Sequence, residues 1–204
     1  MKLKPVRVLM AVAILLTGTS AADAHVVAAR LGDFYMGASH PLTDLQDVVL
    51  WIATGVLAGT LGASKGRWLI PVFPIGLLVG LSLAPVFGTV STQLADATMM
   101  LAIGMLLAAA AQVPTLVLCA IAFAVAVIRG AANGAELGPE TDRLLFAAGL
   151  ACVGYGVVTL TMALTVVFKR TSDSVTSWRA IAVRALGGWI GAIGLMMASL
   201  VLAS

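Results

Sequence analysis

The sequence predicts an all-α fold: a polytopic membrane helix bundle of six transmembrane helices behind a cleavable signal peptide. Three observations carry this expectation. Of 204 residues, 61% are hydrophobic and only 10% charged, and the mean hydropathy is +1.08, whereas about a quarter of the residues of an ordinary soluble domain are charged. Apolar runs of about twenty residues recur along the chain, the length a helix needs to cross hydrocarbon. The N-terminus has the three-part pattern of an exported chain. The length suits one compact bundle and requires no second domain.

The elements follow in order. Lys2, Lys4 and Arg7 form a basic start, Val8 to Leu16 an apolar core short for a span, and Ala22-Asp23-Ala24 a small-x-small cleavage signal. Residues 1–24 therefore read as a signal peptide, and 25–204 as a single six-helix domain starting at His25; the alternative is an uncleaved first helix, since the small residues from Thr17 to Ala22 can extend the apolar run. Spans are expected at 42–64, 68–87, 94–111, 113–129, 143–168 and 179–203. Lys65 and Arg67 lie between the first two spans, and Lys169, Arg170 and Arg179 between the last two. By the positive-inside rule these connections are cytoplasmic. The connections around Gly88 to Asp96 and Gly130 to Asp142 carry Asp96, Glu136, Glu140 and Asp142, so they face outward. The expected location is a bacterial inner membrane, with both mature termini periplasmic. The net charge of +3 rests largely on the signal peptide and implies no nucleic-acid partner.

Within the spans, Gly55 and Gly59, Gly76 and Gly80, and Gly187 and Gly191 are small-xxx-small pairs. Such pairs let helices approach closely where lipid gives no hydrophobic drive for association. Pro71, Pro74 and Pro85 remove backbone donors from the second span and predict that it bends or breaks. Trp68 and Trp178 fall at boundaries where indole favours the headgroup region. Cys119 and Cys152 lie inside spans without a metal-ligand spacing, and read as unpaired, small buried hydrophobes.

Two polar clusters break the apolar pattern: His40-Pro41-Leu42-Thr43-Asp44-Leu45-Gln46-Asp47 and Arg129-Gly130-Ala131-Ala132-Asn133-Gly134-Ala135-Glu136. Ionisable residues at membrane depth read first as a site. On one continuous helix, Asp44 lies about 40° from His40 and Asp47 about 20° the other way, a polar stripe some 10 Å long. Pro41 suits a first helical turn, and the two aspartates gain from the helix dipole there, which is equally a plain capping role. The first span runs inward from His40 and the fourth outward to Glu136, so both clusters reach the same outer depth. Gly130 and Gly134 permit close helix approach, and Arg129 can pair with Asp44, Asp47 or Glu136, or snorkel at a helix end.

In length, exported start, six-span layout and the position of both clusters, the chain resembles the HupE/UreJ family of hydrogenase and urease accessory membrane proteins, regarded as nickel or cobalt permeases. The family motif His-Pro-x-x-Gly-x-Asp-His is matched by His40 and Pro41, but Asp44, Gln46 and Asp47 stand at its glycine, aspartate and second histidine. The motif His-Gly-x-Ala-His-Gly-x-Glu is matched by Gly130, Ala132, Gly134 and Glu136, while Arg129 and Asn133 replace its histidines. Arg184, Gly187, Gly188 and Gly191 also fit the family pattern. The resemblance implies an all-helical permease; with the residues this chain carries at the motif positions, the expected metal ligands are His40, Asp44, Asp47 and Glu136, with Gln46, Arg129 and Asn133 along the path or in an ion pair.

Two functional classes follow. One is a divalent metal permease, with nickel or cobalt as transported ion, no bound cofactor, and lipid and a second copy of the chain as partners. Transport is then facilitated or secondary, since the chain has no phosphate-binding loop. The other is a non-transporting accessory subunit in which Arg129 and a carboxylate form a structural ion pair. No catalytic set can be assembled from two histidines and these acids, so an enzyme is not expected.

Overall fold

The computed structural model of the chain describes residues 21–87, 91–170 and 177–203. Among these residues it is all-helical: α1 (Ala21–Thr43), α2 (Leu45–Leu61), α3 (Ala63–Gly66), α4 (Leu69–Phe87), α5 (Gln93–Ala108), α6 (Thr115–Ala135), α7 (Arg143–Arg170) and α8 (Trp178–Ala203). All six segments expected to span are helical. By length and apolarity four stretches can cross a membrane: Ala63–Val86, Thr115–Ala135, Arg143–Arg170 and Trp178–Ala203. A fifth arises if Gly32–Thr43 and Leu45–Leu61, bent by 82° at their junction, count as one. The remaining helix, α5, has 16 residues, about 24 Å of rise against about 30 Å of hydrocarbon. It stops before the expected 111 because Ala110 takes a left-handed φ of 52°, and the Ala111 N–H turns back to the Leu106 carbonyl at 2.9 Å. Residues 1–20, which hold most of the expected signal peptide, lie outside the described residues.

The bundle is organised around α2. Its residues Leu50, Trp51, Ala53, Leu57 and Ala58 are fully buried, and burial on most sides is the mark of a central helix. Trp51 meets the Phe73 ring edge-on at 5.7 Å, and this pair sits in a core shared with Leu77, Met100, Ile103, Leu118, Phe146 and Leu150. Glycines set how closely the surrounding helices pack. A Cβ on Gly80 of α4 would strike the Val127 carbonyl of α6, and one on Gly130 of α6 would strike the Leu77 carbonyl of α4. Gly55 and Gly59 seat α2 on Val158, Thr161, Met162 and Thr165 of α7, and Gly187 and Gly194 seat α8 on α5. Each expected glycine pair thus lies at a helix contact, although Gly191 meets α5 only at ordinary contact distance, 3.7 Å. The contact partners Gly37, Gly104 and Gly149 carry no spacing that singled them out.

Of the bend or break expected at the prolines of the second span, the helix shows no break, and two further expectations are corrected. Pro71 falls in the first turn of α4, where a missing donor is harmless, and the helix is assigned without interruption through Pro74 and Pro85. The break instead falls at Asp44, whose extended backbone (φ −89°, ψ 116°) separates α1 from α2. His40 and Pro41 therefore belong to the last turn of α1, not to the first turn of the span, and the continuous stripe from His40 to Asp47 does not form. Cys119 and Cys152 are free as expected, but Cys152 is exposed on the outside of the bundle rather than buried.

Charge divides the two ends. Asp33, Asp44, Asp47, Asp96, Glu136, Glu140 and Asp142 all lie where α2, α5 and α7 begin and α6 ends. Lys65, Arg67, Lys169, Arg170, Arg179 and Arg184 lie at the opposite end, whereas Arg129 and Arg143 lie at the acidic end. Several of these cations close helix C-termini, which present unsatisfied carbonyls and negative dipole ends. Lys169 Nζ donates to the Thr60 carbonyl at 3.0 Å and Arg184 Nε to the Ala108 carbonyl at 2.8 Å. Trp68 and Trp178, also at this end, are exposed as boundary anchors should be.

The glycine contacts predict an asymmetric response to a single methyl group. Gly80→Ala forces α4 and α6 apart and should lower stability by about 1–3 kcal/mol, the usual range for overpacking. Gly188→Ala, with nothing within 4 Å of the new Cβ, should stay within about 0.5 kcal/mol of the parent. Denaturant unfolding of the purified protein in a mild detergent measures both.

Candidate functional site

Arg129 stands near the end of α6 and is 3% exposed. Its neighbour Gly130 faces α4, and one residue is about 100° of helix rotation, so the guanidinium is directed away from α4 toward α2 and α5. There all five of its N–H donors find acceptors. Nε donates to Asp47 Oδ1 at 2.8 Å, and Nη2 to Asp47 Oδ2 at 3.1 Å, a two-pronged pairing with one carboxylate. Nη2 also donates to Asp44 Oδ2. Nη1 donates to Asp96 Oδ2 at 3.0 Å and to Gln46 Oε1 at 3.2 Å. One side chain thereby ties together the starts of α2 and α5 and the end of α6.

The helix starts supply the acids. Asp44 caps α2, with its Oδ1 accepting the Gln46 N–H at 2.8 Å, and the positive end of the α2 dipole favours both Asp44 and Asp47. Asp96 occupies the first turn of α5, where Thr92 Oγ1 donates to its Oδ2 at 2.9 Å. Asp47 is 1% exposed and Asp96 fully buried. Asn133, one turn beyond Arg129, donates through Nδ2 to Asp47 Oδ2 and to the Arg129 carbonyl, both at 2.8 Å. The expected end of the fourth span at residue 129 is corrected by this arrangement. The helix continues to Ala135 because α4 packs on Gly130 and Gly134, and that extra turn and a half places Asn133 on the Arg129 face.

His40 and Glu136 form a separate pair at the rim. His40 Nε2 lies 3.0 Å from Glu136 Oε2, with the glutamate side chain two-thirds exposed, and the imidazole tilts over Phe146 at 6.2 Å. Of the four residues expected as metal ligands, Asp44 and Asp47 therefore meet on Arg129, while His40 and Glu136 meet each other. Among the described residues no group of three or more His, Cys, Asp or Glu is arranged to hold a metal ion. Gln46, Arg129 and Asn133 all join the Asp47 network, and Gly130 and Gly134 serve helix packing as expected.

Sequence reasoning missed Asp96. It sits at the start of the third span, at the same depth as the start of the first and the end of the fourth, so span direction is the signal that places it with Asp47 and Arg129.

The electrostatics are uneven. Three carboxyl groups meet one guanidinium, two of them buried and Asp44 39% exposed at the edge. Two buried oxygens in the cluster, Asp96 Oδ1 and Asn133 Oδ1, have no hydrogen-bond partner. A buried polar oxygen without a partner favours the approach of a cation or a proton donor.

A family model described as HupE / UreJ protein matches residues 12–197 of the chain. No curated protein and no solved structure matches it.

Removing the guanidinium has a calculable consequence. Arg129→Gln strands Asp47 and Asp96 and should destabilise the protein by about 3–5 kcal/mol, the range for breaking a buried pair. Adding Asp47→Asn to that variant should recover part of the loss, giving a double variant less destabilised than the two single changes summed. Thermal unfolding of the four proteins in detergent closes the cycle.

Proposed function

The chain belongs to the HupE/UreJ family, and on that premise we propose that it is a permease for a divalent transition-metal ion, nickel or cobalt, moving from the periplasm across a bacterial inner membrane. The family is one of membrane permease and accessory proteins rather than of enzymes. The proposal includes six crossings with both mature termini periplasmic, after removal of residues 1–24. The acidic and basic ends of the bundle support this orientation, since basic residues favour the cytoplasmic side.

The observation that carries the reading is the group of three carboxyls on Arg129, with the unpartnered Asp96 Oδ1 and Asn133 Oδ1 among them. A dehydrating divalent cation seeks such oxygen donors, and imidazole suits nickel or cobalt. In the proposed path, His40 and Glu136 at the open rim meet the cation first. Asp44, still 39% exposed, receives it next and exchanges the Arg129 guanidinium for it, and Asp47 lies beneath. Gln46 and Asn133 line that passage as neutral donors. Arg129 works against entry while it remains paired, because like charges a few Å apart repel strongly where water is scarce. Transport is facilitated or secondary, since the sequence carries no phosphate-binding loop motif.

A second reading is favoured by the saturation of Arg129. With every guanidinium N–H engaged, the cluster is also complete as a structural ion pair, holding the helix ends of a non-transporting accessory subunit.

Uptake of labelled nickel and cobalt into proteoliposomes separates the two. For a permease, His40→Ala and Glu136→Gln should each reduce initial uptake about tenfold or more, equivalent to about 1.4 kcal/mol, with unfolding temperature unchanged. If the purified protein binds none of nickel, cobalt, zinc or manganese and Asp47→Asn leaves uptake unaltered, the permease reading fails and the structural one stands.

A further inference from the structure

At the basic end, remote from the Arg129 cluster, α2, α7 and α8 enclose an open groove of about 550 Å³. Its walls are two helical stripes. Thr161, Leu164, Thr165 and Phe168 line it from α7, and Ala182, Val183 and Leu186 from α8, with Val56 of α2 as floor. The spacing in each stripe is that of one helix face. Both threonines turn their hydroxyls back onto their own helix, Thr161 Oγ1 to the Val157 carbonyl at 2.6 Å and Thr165 Oγ1 to the Thr161 carbonyl at 2.8 Å. The lining is therefore hydrocarbon, and it asks for an apolar occupant.

The mouth asks for an anion. Arg179 precedes Ala182 and Val183 by one turn and shares their face. Its guanidinium sits 5.5 Å from the centres of both the Phe168 and Trp178 rings. Nη1 donates to the Phe168 carbonyl at 3.2 Å, while the buried Nε has no hydrogen-bond partner. Lys169 and Arg170 follow Phe168 directly, and among the described residues no carboxylate lies at this end of the bundle. From Arg179 to Leu186 the α8 wall runs about 10 Å along the helix, from headgroup level into the acyl region.

We infer that this groove is a binding site for an anionic phospholipid, with the headgroup phosphate held by Arg179 beside Lys169 and one acyl chain lying between α7 and α8. A mouth that is basic among the described residues and an apolar trough match the two halves of such a molecule, and basic pockets between helices are a recognised way to hold acidic headgroups. A zwitterionic lipid supplies the chain without the net charge. Inorganic phosphate supplies the charge without the chain.

The test is native mass spectrometry of the full chain from neutral detergent, titrated separately with phosphatidylglycerol, phosphatidylcholine and inorganic phosphate. Phosphatidylglycerol should be retained at about one molecule per chain and at least fivefold more than phosphatidylcholine. R179Q should remove that preference while leaving residual lipid. L186W, which fills the trough and keeps Arg179, should abolish retention, and the melting temperature of each variant without lipid reports whether it is folded. Equal retention of the two lipids would reduce the groove to ordinary bilayer contact and overturn the inference. Phosphate bound as well as the lipid would overturn it by making the chain irrelevant. No lipid retained at all would mean that the groove is closed by this chain or a second copy, which also overturns it.

Discussion

A buried guanidinium has few ways to survive in a protein surrounded by hydrocarbon, and the acidic end of this bundle is arranged around one of them. Arg129 needs five acceptors, and they come from three residues of one short stretch at the start of α2 and from one at the start of α5. Helix starts are the natural place for carboxylates, because dipole and unsatisfied N–H groups both favour negative charge there. The antiparallel course of α6 against α2 and α5 delivers the arginine to those starts. On its other side α6 is pinned by Gly130 against the α4 backbone. Its position is thus fixed by steric fit on one face and by charge on the other.

The replacement of two histidines of the family motif acquires a chemical meaning in this setting. Arg129 and Asn133 are one turn apart on one face, and both donate to Asp47. An imidazole at either position would offer a lone pair to a metal. Guanidinium and amide instead offer N–H groups to a carboxylate, so the preference of the two positions is reversed from cation to anion. The aspartate that stands at the second histidine of the first motif is the anion they bind. The substitutions therefore compensate one another physically, although the rim pair His40 and Glu136 retains the identities of the family pattern.

Much of this was legible in the residues. Six apolar segments, the polarity of the connections and the glycine pairs follow from the fact that lipid rewards apolar length and small-residue contact. The meeting of Asp44, Asp47 and Arg129 followed from span direction alone. Other features depend on single backbone angles and left little trace. One non-helical residue at Asp44 moves His40 onto another helix and defeats a stripe drawn on a single helical wheel. The continuation of α6 past Arg129 depends on α4 lying against its glycines, a contact that no local pattern contains. Asp96 stands at a span boundary in the sequence, and its acidity alone does not distinguish a loop residue facing water from one turned into the bundle.

Asp44 serves the corner and the cluster at once: one carboxylate oxygen caps α2 and the other meets Arg129. The joint between α1 and α2 and the fastening of α6 are consequently a single mechanical part. Whatever draws Arg129 off that side chain loosens the fastening while the joint keeps its shape, whereas straightening the joint turns the carboxylate away and releases the arginine in the same motion.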